Sequence, residues 1–265
     1  MQTFVSPFLI RVLAVWLPLF LLGSCSTEKK GAANVPGEAE PTCTIFFIDK
    51  SLSNSHLTDA RNLYERTIRE AIAERVQQKG DKVMVYFVHD NTAKARALSL
   101  TARTPLPDTD GSSPTDREAA QTDYALQLTR EHTTLCRQVL TKLDQPNPGL
   151  SNQHTDLWGS LAVLARADES GRFQVRAYYL SDMVESMTGP GRRDFHRTPP
   201  ATTQQADDWA KTDAEKLGTQ HVIGSPEIRL VLPFAATASA RENNPAISRY
   251  WHTLFEALGA QEVEE

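Results

Sequence analysis

The run Thr44-Ile45-Phe46-Phe47-Ile48-Asp49-Lys50-Ser51-Leu52-Ser53 decides how the chain is read. Its first five residues are β-branched or aromatic and nearly all apolar, which predicts a strand covered on both faces, as in a parallel sheet flanked by helices. Asp49 then stands at the carboxyl end of that strand, where open α/β sheets form their ligand crevice. Ser51 and Ser53 follow two and four residues later, so in an extended segment all three oxygen-bearing side chains turn to one side. A carboxylate and two hydroxyls suit a hard cation such as Mg²⁺, which takes oxygen ligands at ~2.0–2.1 Å. Short Asp/Ser strings also cap helices and build turns, and the string alone leaves both readings open.

Three more apolar runs, at 83–88, 175–180 and 228–232, carry the same β-forming composition. The last two admit Arg176 and Arg229 and are expected nearer an edge, which places the first strand centrally. Residues 97–100 are expected to add a short edge strand. Helical stretches are expected at 58–78, 117–143, 156–167, 204–217 and 245–258. In the last of these Ile247, Tyr250, Trp251, Leu254, Phe255 and Leu258 form one apolar face. Residues 101–116 and 186–203, dense in turn-forming residues or without periodicity, are expected to be irregular. Strands alternating with helices predict a doubly wound, Rossmann-like α/β domain with a mostly parallel sheet.

With Thr155 in His154-Thr155-Asp156-Leu157 and Asp182 in Leu180-Ser181-Asp182, the Asp49-x-Ser51-x-Ser53 string resembles the metal-ion-dependent adhesion site of von Willebrand factor A domains. That family places D-x-S-x-S after its first strand, a threonine in a later loop and an aspartate ending its fourth strand. The resemblance spans roughly residues 43–258 and rests on these five positions and the strand order. It implies hydroxyl ligation by Ser51, Ser53 and Thr155, with Asp49 and Asp182 acting mainly through bound waters on Mg²⁺, Mn²⁺ or Ca²⁺. An open coordination position would then take a carboxylate from a protein partner. The family often has glycine after the last aspartate and small residues before the threonine. Met183, Gln153 and His154 stand there instead, which puts His154 and Met183 beside the expected metal and partner.

The N-terminus is of another kind. Arg11 precedes an apolar run from Val12 to Leu22, interrupted by Pro18 and ended by Gly23-Ser24-Cys25. The run is shorter than the ~20 residues of a bilayer-spanning helix. Leu22-Gly23-Ser24-Cys25 resembles a bacterial lipobox, which implies a signal peptide over 1–24 and acylation of Cys25. Acyl chains add about 0.8 kcal/mol of membrane affinity per buried methylene, enough for anchoring without a spanning helix. Ser26 after the cysteine favours the outer membrane by resemblance to lipoprotein sorting signals. Residues 25–41 are small, polar and proline-containing and read as a flexible tether, leaving 42–260 as the folded domain.

The net charge of −5 over 265 residues, with Lys and Arg scattered, argues against a dedicated nucleic-acid surface. Cys43 and Cys136 would lie in a disulfide-permitting compartment, and both the bridged and unbridged states are compatible with the sequence. His89-Asp90, at the end of the second strand, reads either as an acid–base pair or as a polar turn. Gly189-Pro190-Gly191-Arg192-Arg193 reads either as an anion-binding turn or as a solvated loop. No nucleophile elbow, Walker-type loop or H-E-x-x-H helix occurs. Two alternatives to partner binding stand beside it. One is a metal-dependent phosphatase with Asp49 as nucleophile, similar to haloacid dehalogenases, although these carry a second aspartate where Ser51 stands here. The other is a scaffold lipoprotein with a silent metal site.

Overall fold

The computed structural model describes residues 40–51, 58–148, 153–167, 170–234, 239 and 243–265. Ser53, Cys25, the signal peptide and most of the tether therefore lie outside the described residues. Residues Ala39–Glu265 form one compact unit.

Strand β1 (Thr42–Asp49) pairs in parallel with β2 (Lys82–Val88) on one side and with β4 (Gln174–Leu180) on the other. Beyond β2 lies β3 (Arg96–Thr101), antiparallel; beyond β4 lie β5 (Glu227–Val231) and the short β6 (Glu262–Glu264), both parallel. The order β3-β2-β1-β4-β5-β6 makes a six-stranded, mostly parallel sheet.

Because side chains alternate along a strand, the apolar run of β1 serves two cores. Ile45 and Phe47 point into a core closed by α3 (Gly159–Ala167), α4 (Thr203–Gly218) and α5 (Pro245–Ala257). Phe46 and Ile48 point into another closed by α1 (Thr58–Arg75) and α2 (Pro114–Asp144). Helices thus cover both faces, and the fold is the expected doubly wound α/β architecture. Phe46 stacks on Tyr178 at 5.3 Å and Phe47 on Tyr179 at 4.6 Å, one ring pair in each core. Cys43 lies in the first core and Cys136 in the second, so the sheet stands between them and no bridge joins them.

Three points differ from expectation. The arginine of the run at 175–180 suggested an edge, yet β4 is interior, between β1 and β5. Arg176 sits near the strand's start and is bonded there to Glu227 of β5 at 2.9 Å and to Glu264 of β6 at 2.9 Å. A partly buried arginine with charged acceptors on neighbouring strands is compatible with an interior position. Strand β6 was not expected, since Glu-Val-Glu lacks β-forming density; pairing with β5 and the Arg176 bond define it. The helix expected from 156 begins at Gly159. Asp156 caps it, accepting the Gly159 N–H at 3.0 Å. A Cβ on Gly159 would meet the Asp156 carboxylate at 2.4 Å, so the cap requires glycine there.

Candidate metal centre

Parallel pairing brings the carboxyl ends of β1, β2 and β4 to one rim of the sheet. Register sets Ile48 beside Leu180, so the residues that follow, Asp49 and Ser181, meet. Asp49 is buried; its Oδ2 accepts the Ser181 hydroxyl at 2.6 Å and its Oδ1 accepts the Ser51 N–H at 2.8 Å. The second bond folds Asp49-Lys50-Ser51 into an Asx turn, which holds the string against the strand end. Ser51 is buried as well.

Asp182 follows Ser181 and is also buried; its Oδ1 accepts the Val184 N–H at 3.0 Å. Burial pushes the Asp49 carboxyl up to about 7, and the charge of Asp182 adds to the rise, against the lowering effect of the Ser181 and Ser51 bonds. Two carboxylates from neighbouring strands thus share one desolvated place.

Thr155 is buried on the same rim. The Asp156 N–H donates to the His89 carbonyl at 2.8 Å, which ties the loop to the end of β2. The Thr155 N–H donates to Ser186 Oγ at 2.8 Å, and its carbonyl accepts the Ser186 N–H at 3.1 Å, which ties it to the segment following Asp182. Asp49, Ser51, Thr155 and Asp182 therefore gather at one end of the sheet, while Ser53 lies outside the described residues. The donor set is carboxylate and hydroxyl oxygen, which fits a hard cation. Among the described residues no group of three or more His, Cys, Asp or Glu side chains forms a metal cluster.

Met183, expected beside the metal and partner, is fully buried with α5 in the core, and its carbonyl accepts the Trp251 indole N–H at 2.7 Å. Its φ of +61° lies in the left-handed region that favours glycine, the residue the resembling family often carries here. His154 is half-buried, and its Nδ1 donates to the Ser186 carbonyl at 3.2 Å. His89 Nδ1 lies 2.6 Å from Asp90 Oδ1 and accepts the Asn91 N–H at 3.2 Å, closing the turn after β2.

In the Gly189–Arg193 run the Gly189-Pro190-Gly191 part is an exposed loop, one of the two expected readings, but its arginines turn inward. Arg192 bonds Asp156 at 2.6 Å and also Glu185, with its guanidinium 5.0 Å over the Trp158 ring. Arg193 bonds Asp213 at 2.6 and 3.1 Å and stacks 4.5 Å over Trp209. Both arginines serve internal carboxylates. Ser181, Glu185 and Ser186, which shape the centre, were missed. Only the proximity of Ser181 to Asp182 gave a sequence signal.

Lys50, between Asp49 and Ser51, turns away to cap α2: its ammonium donates to the carbonyls of Lys142 at 2.9 Å and Leu143 at 2.7 Å. Burial lowers its pKa to about 8. Beside it a cleft of 320 Å³ runs between Asp49, Ser51, Tyr64 and Asn147.

No protein-family model matches the chain, and no curated protein matches it either. Among solved structures, proximal thread matrix protein 1 from the mussel byssus aligns over 85% of this chain at 10% identity, with a TM-score of 0.38. The chain spans 43% of that protein's length. A likeness at this level carries no argument, and the fold rests on the sheet order and helix layers themselves.

Proposed function

We propose that the protein is a lipid-anchored protein of the bacterial envelope that binds a protein partner through a divalent cation at Asp49, Ser51, Ser53, Thr155 and Asp182. The observation that supports this most directly is the burial of Asp49 and Asp182 at the adjoining carboxyl ends of β1 and β4, where desolvation first and the neighbouring charge second push the Asp49 carboxyl up. A cation of the Mg²⁺ class would relieve that repulsion, and the buried hydroxyl-bearing residues Ser51 and Thr155 stand on the same rim. When bound, such an ion supplies a positive centre that attracts anionic oxygen. Neutral hydroxyl ligands would leave much of its charge uncompensated, so a partner's carboxylate is the group this chemistry selects. Binding, not turnover, is the output we assign.

Calorimetric titration of the full chain in detergent with Mg²⁺, Mn²⁺ and Ca²⁺ tests the reading. Saturable heat with at least one ion, abolished in Asp49→Asn, is expected; the same negligible heat from both proteins defeats it. The anchor is tested separately. Cys25→Ser is expected to leave the membrane fraction, and an unchanged distribution removes lipidation from the proposal.

A further inference from the structure

Thr155 and Asp182 belong to different loops, and two consecutive residues, Glu185 and Ser186, bind the one loop to the other. Ser186 exchanges main-chain and hydroxyl bonds with Thr155, as described above, and its Oγ also donates to the Gln153 carbonyl at 3.3 Å. Glu185, fully buried, accepts the N–H groups of Leu157 at 2.8 Å and Trp158 at 3.2 Å through Oε2. Its Oε1 is held by Arg192, which also grips Asp156. The Glu185 carbonyl accepts the Phe195 N–H at 2.7 Å, which fixes the residue from behind. Every residue from Gln153 to Trp158 thus bonds, through main or side chain, to the Glu185, Ser186 and Arg192 group or, through the Asp156 N–H, to the end of β2.

We infer that Glu185, Ser186 and Arg192 are positioning residues for the metal centre: they template the loop that presents Thr155 and couple it to Asp182, only three residues before Glu185. The inference rests on the metal reading above. A cation needs its ligands set to within tenths of an ångström, and the outer groups that orient them contribute about 10- to 100-fold in affinity. A loop bonded at consecutive main-chain groups cannot swing Thr155 out of reach. Neither Glu185 nor Ser186 need touch the ion; each acts through Thr155.

The test is Mn²⁺ titration of the full chain in detergent, followed by water-proton relaxation, which reports both affinity and the number of waters on the bound ion. Ser186→Ala is expected to bind Mn²⁺ 10- to 100-fold more weakly. At saturation its relaxation per bound ion should rise by about one water, as the Thr155 hydroxyl gives way to solvent. Arg192→Met, which keeps an apolar stem over Trp158 and alters a partly exposed side chain, is expected to shift both readouts in the same direction by a smaller factor. It carries the test if Ser186→Ala does not fold. Weaker binding with unchanged relaxation per ion overturns the inference, and so does wild-type behaviour in both variants; each leaves the metal reading standing. Failure of the wild-type chain to bind Mn²⁺ overturns the metal reading, and the inference with it.

Discussion

At the amino ends of β4 and β5, Glu227 Oε2 accepts from Arg176 at 2.9 Å and from Arg75 at 3.0 Å, while Glu264 takes the other arm of Arg176. At the carboxyl ends of β1 and β4, the bonds to Asp49 and Asp182 include those from the Ser181 hydroxyl and from main-chain N–H groups. The first arrangement matches guanidinium to carboxylate and fastens three strands and α1 together. The second buries Asp49 beside Asp182, and desolvation, with the neighbouring charge adding to it, pushes the Asp49 carboxyl up to about 7. One end of the sheet thus settles its charge in guanidinium–carboxylate pairs, while the other is, on the function proposed above, the end that a proton or a cation would favour.

The largest effect expected from this contrast is on metal response. Asp49→Asn keeps the shape and the bond to Ser51 but removes the charge, and is expected to weaken Mn²⁺ binding more than about 100-fold, or about 3 kcal/mol, by calorimetry. Opposite signs are expected for stability at the two ends. Glu227→Gln, which removes one charged acceptor shared by two partly buried guanidiniums and leaves Arg176 with Glu264 and Arg75 with Glu74, should destabilise the metal-free chain by about 1–2 kcal/mol in urea titration. Asp49→Asn should stabilise the metal-free chain at pH 8. Destabilisation of similar size by both would break the contrast.

The pH dependence has a definite sign. A carboxyl whose folded pKa is raised stays protonated in the folded chain while the unfolded chain has already ionised, so metal-free stability falls as pH rises between the two values. Asp49 at about 7, against an ordinary value of 3.8, therefore predicts a falling melting temperature from pH 5 to 8, with a loss on the order of 2 kcal/mol. Glu185, also raised to about 7 by burial, contributes a second share. The slope is expected to be roughly halved in Asp49→Asn. Mn²⁺ should bind more tightly as pH rises through 7, because the ion competes with the proton.

A smaller test concerns the Thr155 loop. Gly159→Ala would gain helix propensity at most positions, but here its Cβ would displace the Asp156 cap. A loss of about 1–2 kcal/mol is expected in chemical denaturation. The smallest expected effect is that of Lys50→Met, which removes the ammonium from the end of α2 and should cost about 0.5–1 kcal/mol by the same measure.

The sheet and its two helix layers were legible because β1 is apolar at consecutive positions, β-branched or aromatic in composition, and alternates with helical stretches, as a strand between two helix layers does. Helix α5 was legible from the spacing of its apolar residues, and helices over α1 and α2 and a short edge strand at β3 were expected close to where they stand. Arg176 misled because a charge in a strand reads as exposure, whereas its partners Glu227 and Glu264 lie 51 and 88 residues away. Asp49 and Ser51 were found because they follow an apolar run at short, fixed offsets, whereas Thr155 and Asp182 were singled out only through the resemblance to the von Willebrand factor A pattern. Glu185 and Ser186 were not: what they do depends on which loop the fold lays against them, and no spacing encodes that.

The bond between Asp49 and Ser181 has a consequence for how the chain folds. A strand that is apolar on both faces suffers little loss of burial if it slips against its neighbour, so hydrophobic pattern alone specifies the pairing of β1 weakly. Polar bonds stand at both ends of that strand: Thr42 donates to Asp81 at 2.8 Å where it begins, and Asp49 receives Ser181 where it stops. A slip of even one residue would strand a buried carboxylate away from its hydroxyl donor. The residue at the heart of the candidate metal centre is therefore also a register pin, and the chain cannot pair its central strands correctly without assembling that corner of the site.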